Sequence, residues 1–356
     1  VIVASIGDRV GRKSAFILTV ILMTFPTVLI GLLPTYESLG IAATVLLIIL
    51  RIAQALSVGG ERSATLSLFT ELAPSNLKGL YGSMSLFGTT TGILLASAVC
   101  GLVSSSMPQE DLIAWGWRIP FLLGALTGIA GLFLRKIVEE SEIFRNLIAS
   151  GKVSKSPLKE SLMKHWRPVL IILSATIMFA VSFYLIFVYI ITFGIRFGDM
   201  PLPQILNINT INLALITLLI PLGAYFSDRV GRKPALIIGC AGMIFVGIFF
   251  FNIFAGESLT NKIIIQLTGG IFMVIFAGAF APFMVESFPT RVRMSGISLG
   301  NVIGFSVFGG SAPLVASYLI FNTGNINAPG IYLSICSVIS LIAVLTIKET
   351  FKNKLG

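Results

Sequence analysis

Long apolar runs alternate along this chain with short polar connections. Ten of them reach the ~20 residues that a helix needs to cross a bilayer. They fall at 14–33, 40–72, 82–104, 116–134, 168–192, 204–226, 234–254, 262–288, 295–321 and 330–347. Val1 to Ile6 read as the last turns of a further helix. Helices are the expected element throughout, because a helix satisfies its backbone hydrogen bonds internally and needs no water to do so. The run 40–72 exceeds a bilayer crossing, so it is expected to tilt or to project beyond the membrane.

The polar connections carry a repeat. Asp8-Arg9-Val10-Gly11-Arg12-Lys13 recurs letter for letter as Asp228-Arg229-Val230-Gly231-Arg232-Lys233, 220 positions on (228 − 8). A second correspondence links Glu71-Leu72-Ala73-Pro74 and Lys78 to Glu286-Ser287-Phe288-Pro289 and Arg293, each pair 215 apart (286 − 71). The chain therefore reads as two related halves, the pattern of transporters built from structural repeats. The expected organisation is an N-terminal bundle over 1–134, a polar linker over 135–167, a C-terminal bundle over 168–347 and a short tail over 348–356. Residue 228 closes the second span of its half. Residue 8 should do the same, so the expectation is a chain truncated at its N-terminus from a twelve-span ancestor, with the first span and most of the second missing.

Composition assigns the solvent. With 55% hydrophobic residues, 11% charged residues and a mean hydropathy of +0.96, the chain falls far below the ~25% charge of soluble domains. The net charge of +10 does not indicate a nucleic-acid partner, since 20 of the 25 Lys and Arg lie in alternate loops or the tail. That asymmetry places the basic loops and the C-terminus in the cytoplasm. Cys100, Cys240 and Cys336 lie in apolar runs without metal spacing. His165, the one histidine, reads as a solvated loop residue.

Two sets of residues carry candidate chemistry. In the twin loops, Gly11 and Gly231 permit a tight reversal, and Asp8 and Asp228 can approach the positive end of a neighbouring helix. Arg9, Arg12, Lys13, Arg229, Arg232 and Lys233 can reach acids such as Glu71 and Glu286, with Arg291 and Arg293 nearby. Contacts of this kind suit a latch that forms in one conformation and opens in another. In the run 40–72, Arg51, Gln54, Val58, Glu61, Arg62 and Thr65 share a helical face at spacings of three and four. A charge near mid-membrane costs ~2.5–3.5 kcal/mol on insertion scales, so this face is expected to border a central polar path. Arg51, well inside its span, is the main candidate. No nucleotide-binding loop, zinc-protease motif or catalytic set appears, so an ion gradient is the expected energy source and no cofactor is implied.

These residues resemble the major facilitator superfamily. Gly7 to Lys13 and Ser227 to Lys233 are similar to its loop signature, with Ala4 and Ala224 where glycine is usual. Arg51-Ile52-Ala53-Gln54-Ala55 resembles its fourth-span motif. Finer matches to the metabolite:proton symporter family are Leu33 to Gly40, Ser57-Val58-Gly59-Gly60-Glu61, Trp117 to Phe121, Arg135 with Glu139-Glu140-Ser141 and Phe144, and Phe308 to Pro313. Arg62 stands where the resemblance leads one to expect an aromatic residue.

The resemblance implies an all-α integral membrane fold of two bundles, with alternating access. It implies proton-coupled symport of a small polar solute, proline or glycine betaine first and organic acids (2-oxoglutarate, citrate or shikimate) as an alternative. It further implies a monomer in a bacterial inner membrane, whose partners are solute, proton and lipid. Arg51, Gln54, Glu61 and Arg62 are then the expected coupling and solute residues, and the twin loops the expected gate. The rival from another class is a non-transporting remnant or membrane interaction protein.

Overall fold

The computed structural model describes residues 1–74, 76–137 and 140–351, with 134–137 as backbone only. Glu139, the Arg135 side chain and tail positions 352–356 lie outside the described residues. Thirteen helices carry the architecture: α1 (Ile2–Val10), α2 (Arg12–Leu32), α3 (Ile41–Leu72), α4 (Lys78–Ser105), α5 (Ile119–Ile137), α6 (Glu142–Ala149), α7 (Pro157–Lys164), α8 (Trp166–Phe197), α9 (Leu202–Val230), α10 (Arg232–Ala255), α11 (Leu259–Glu286), α12 (Thr290–Thr323) and α13 (Ala328–Leu345). No strand occurs among the described residues.

Each of the ten apolar runs is a helix long and apolar enough to cross a membrane. Most observed ends lie a few residues outside the predicted ones. Polar residues at the ends of the runs continue the helix, as Ser227 and Asp228 do in α9. Pro26 and Pro221 sit inside continuous helices.

Two groups of helices pack around a pseudo-two-fold relation. In the first, α2 packs on α3 and α5; in the second, α10 packs on α11 and α13, and α8 on α13 and α12. Matched helices join the groups. α1 and α3 meet α12, while the equivalent α9 and α11 meet α4. Between the groups, α6 and α7 lie along the basic end, where Ser161 of α7 reaches the carbonyl of Val292.

The core is unevenly shared. Phe250, Phe251, Phe254, Phe276 and Phe280 anchor a large cluster in the second group, whereas Val3, Ala4, Ala15, Phe16, Ala64 and Leu68 form a small one with Met294 in the first. The most apolar stretch of α8 is 67% buried within the protein, that of α4 only 6%. The uncovered apolar surface of α4 therefore has no core to enter, and lipid is the solvent that suits it. Gly60 shows why a small residue stands at the join of α1 and α3: a Cβ there would lie 2.5 Å from the Val3 side chain.

His165 departs from the sequence reading. It is half-buried at the α7–α8 corner, with its ring edge-on to Phe288. The apolar corner of the linker packs against the second bundle instead of standing in water.

Candidate functional site

At the basic end, the twin loops build two matched clusters. Gly11 (φ 129) and Gly231 (φ 108) hold backbone conformations that disfavour any side chain. Space forbids one as well, because a Cβ would lie 2.5 Å from Glu140 Oε2 at Gly11 and 2.8 Å from Glu349 Oε2 at Gly231. These carboxylates sit at the starts of the helices that follow. Glu140 accepts from Lys13 N–H at 3.1 Å. Glu349 accepts from Arg232 and Lys233 N–H, both at 3.0 Å. Burial alone would raise the Glu349 carboxyl, but the backbone N–H groups of Phe351, Arg232, Lys233 and Thr350 outweigh it and hold the carboxyl below its ordinary 4.5.

The aspartates reach across the molecule. Asp8, fully buried, accepts from the backbone N–H groups of Met294 (3.1 Å) and Ser295 (2.8 Å) where the helical part of α12 begins. Asp228 accepts from Gly79 (2.8 Å) and Leu80 (2.9 Å) in the first turn of α4. Each carboxylate of one bundle therefore sits on the positive end of a helix of the other, the favourable geometry for a negative charge.

The arginines close the clusters. Arg12 donates to Thr290 O at 2.8 Å, stands 3.5 Å from Asp8 and 3.4 Å from Glu71, and lies over the Phe144 ring at 4.3 Å. Arg232 pairs with Asp228 at 2.8 Å and Glu286 at 3.4 Å, and lies over Phe351 at 5.3 Å. Arg293 then reaches back to Glu71 at 2.6 Å, and Lys78 approaches Glu286 at 4.0 Å. Ser141 donates to Glu71, and Thr350 to Glu286 at 2.6 Å. Asp8, Arg12, Glu71 and Arg293 thus balance two charges of each sign, as do Asp228, Arg232, Glu286 and Lys78. That balance is what makes burial of so many charges tolerable.

The remaining loop cations do other things. Arg9 is exposed. Arg229 donates to Tyr225 one turn back in its own helix. Lys233 Nζ caps α13 through the carbonyls of Leu345 and Ile347, both at 2.9 Å. Arg291 pairs with Glu160 of the linker at 2.7 Å, and Lys13 joins the site through its backbone. Glu140-Ser141 and Glu349-Thr350 were not singled out as a pair from sequence. Their signal was an acid–hydroxyl dipeptide repeated 209 positions apart (349 − 140).

A cavity of about 310 Å³ lies between α3 of one bundle and α8 and α12 of the other. Arg62, Tyr184, Ser298, Asn301, Phe305 and Ser306 supply its polar and aromatic lining. Both α8 and α12 widen into a π-helical turn beside it, at Tyr184–Tyr189 and Gly304–Gly309, a distortion often found at functional sites. The first is braced by three amides, of which Gln266 and Asn212 are buried and Asn209 half-buried. Gln266 Nε2 donates to Ile186 O (2.9 Å) and Asn209 Oδ1 (2.7 Å), Asn209 Nδ2 to Phe187 O (3.0 Å), and Asn212 Nδ2 to Gln266 Oε1 (2.6 Å). Sequence reasoning missed this trio, because an amide in an apolar run carries no motif.

The face expected on α3 divides in two. Val58 and Arg62 line the cavity; Arg51, Gln54 and Glu61 are not among its lining residues. Gln54 donates to Thr27 of α2 at 2.6 Å and accepts from Arg51 at 3.3 Å, and the Arg51 guanidinium lies 5.9 Å from the Phe121 ring of α5. Arg51 and Arg62 point in nearly the same direction, but eleven residues at 1.5 Å each set them about 16 Å apart along the helix, and the cavity spans only the Arg62 end. Glu61 is half-buried.

The family model described as "Sugar (and other) transporter" matches residues 1–169. A Staphylococcus haemolyticus protein carrying a provisional proline/betaine transporter name is 33% identical over 361 residues, covering 99% of this chain and 75% of its own length. The glycine betaine/proline/ectoine/pipecolic acid transporter OusA of Dickeya dadantii is 31% identical over 372 residues, covering 99% of this chain and 72% of its own length. Among solved structures, the proton:xylose symporter XylE superposes with a TM-score of 0.76 at 19% identity, covering 99% of this chain and 85% of that one.

Proposed function

Because the chain belongs to the major facilitator superfamily, among its proline/betaine-transporter-like members, and is by family a multi-pass secondary transporter, we propose that it couples proton movement to the uptake of a small polar solute by alternating access. Proline and glycine betaine are the first candidates, on the strength of what the relatives are named for. Organic acids are the second, favoured by the unneutralised Arg62 in the cavity. One observation carries the reading: a cavity lies between two bundles whose common end is tied by two neutral charge clusters, each crossing from one bundle to the other. Ties of this kind release together as the bundles rock, which opens the cavity towards the basic end.

In this reading the basic loops and the C-terminus face the cytoplasm of a bacterial inner membrane, and the protein works as a monomer. Arg62 meets the solute. Arg51, with Gln54, stiffens α3 against α2 and α5, while half-buried Glu61 remains the candidate proton carrier on the same helix. Uptake of labelled proline and glycine betaine into proteoliposomes containing the whole chain, with and without an inward proton gradient, tests the proposal. Gradient-stimulated accumulation is expected. Accumulation no greater than in empty vesicles would leave the rival reading, a membrane protein that does not transport.

A further inference from the structure

The cations of the two clusters all stand within 4.0 Å of a carboxylate. Arg62 differs. Among the described residues it makes no ion pair, and it stacks on an aromatic face: its guanidinium lies over the Phe305 ring, 4.4 Å from the centroid. Among the described residues, no aspartate or glutamate lines the cavity with it. A guanidinium stacked on a ring is held by its face, which leaves its N–H edge free to bind a planar, bidentate acceptor. Around it, Tyr184, Asn301 and Ser306 offer neutral hydrogen-bonding groups, and Ala55, Val58 and Val302 offer apolar surface.

From this arrangement we propose that Arg62, held by Phe305, is the specificity-determining anchor of the cavity, and that it selects a carboxylate on an uncharged apolar body over the same carboxylate on a cationic one. Charge sets the preference. Among the described residues the lining provides one cationic side chain and no carboxylate, so a zwitterion brings a second positive charge into a low-dielectric space whose lining has no carboxylate to balance it. A simple carboxylate anion neutralises Arg62 and completes the set. The inference rests on the transport reading for the role of the cavity and, within that reading, places the organic acids ahead of proline and glycine betaine.

Glycine betaine and the anion of tert-butylacetic acid test it, being isosteres that differ by a nitrogen cation in place of a carbon. Tert-butylacetamide removes the carboxylate charge. With the whole chain in lipid nanodiscs, titration calorimetry is expected to show the anion binding about tenfold or more tighter than either of the others, the range a charged hydrogen bond supplies. Arg62→Gln should erase the preference for anion over amide. Phe305→Leu should weaken anion binding several-fold while the charge remains, and thermal unfolding of both variants in the same discs checks that they are folded. Betaine binding as tightly as the anion, an unchanged ratio in folded Arg62→Gln, or no binding of the anion overturns the proposal. Selective anion binding without gradient-driven uptake would remove the transport reading and leave this one. Proton-driven betaine uptake without preference for the anion would do the reverse.

Discussion

Glu71 holds two buried guanidinium groups at once, Arg12 from its own bundle and Arg293 from the other. Removing its charge strands both in an interior that excludes water. Glu71→Gln is expected to lower stability by ~3–5 kcal/mol, the cost of breaking a buried pair by removing one partner, read as thermal unfolding in detergent. Glu286→Gln should cost less, because its cross-bundle partner Lys78 stands at 4.0 Å where Arg293 reaches 2.6 Å; an equal loss would show that the two clusters do not differ as their distances do. Glu349 gives a pH dependence. Its carboxyl is held below 4.5, so its stabilising effect is present above that value and disappears as the pH falls through the depressed one. The gap in unfolding temperature between wild type and Glu349→Gln should be open at neutral pH and close under acid; a gap independent of pH would contradict the capping role. At this scale the sequence made the aspartates, arginines and glutamates visible through their repetition, whereas Gln266 and Asn212, single amides in apolar runs, left no trace.

Among the elements, α8 depends on side chains from α9 and α11 to brace its π-helical turn. Gln266→Leu removes the donor to Ile186 O and leaves Asn209 and Asn212 without their partner. A loss of ~1–3 kcal/mol for each buried group left unsatisfied is expected, together with weaker solute binding, because Tyr184 at the start of that turn lines the cavity. Weakened stability with unaltered binding would detach the brace from the cavity. The helices themselves were legible, since lipid demands an apolar run of fixed length whatever the neighbours are. The π-helical turns were not, because a helix apolar on most faces shows no periodicity from which a local change of pitch could be read.

In the whole molecule, Asp8 and Asp228 perform one task twice, each tying its bundle to a helix start in the other. Loss of charged hydrogen bonds worth ~1.5–3 kcal/mol should shift the balance towards opening at the basic end by roughly tenfold or more. The double variant Asp8→Asn with Asp228→Asn is therefore expected to speed thiol labelling of Ser306→Cys from that end, measured with Cys100→Ser to remove the exposed native cysteine. Labelling unchanged by the double variant would mean that the ties do not hold that end shut. The amino-acid sequence by itself determined the number of crossings, the grouping of basic loops and the two-fold repetition, because each follows from the local match of a segment to lipid or water. Only the tertiary structure decided that Arg62, and not Arg51, borders the cavity, and that each aspartate caps a helix of the opposite bundle. Those outcomes depend on how two bundles meet, bringing Asp8 to Ser295 across 287 residues, and no local pattern encodes a contact at that distance.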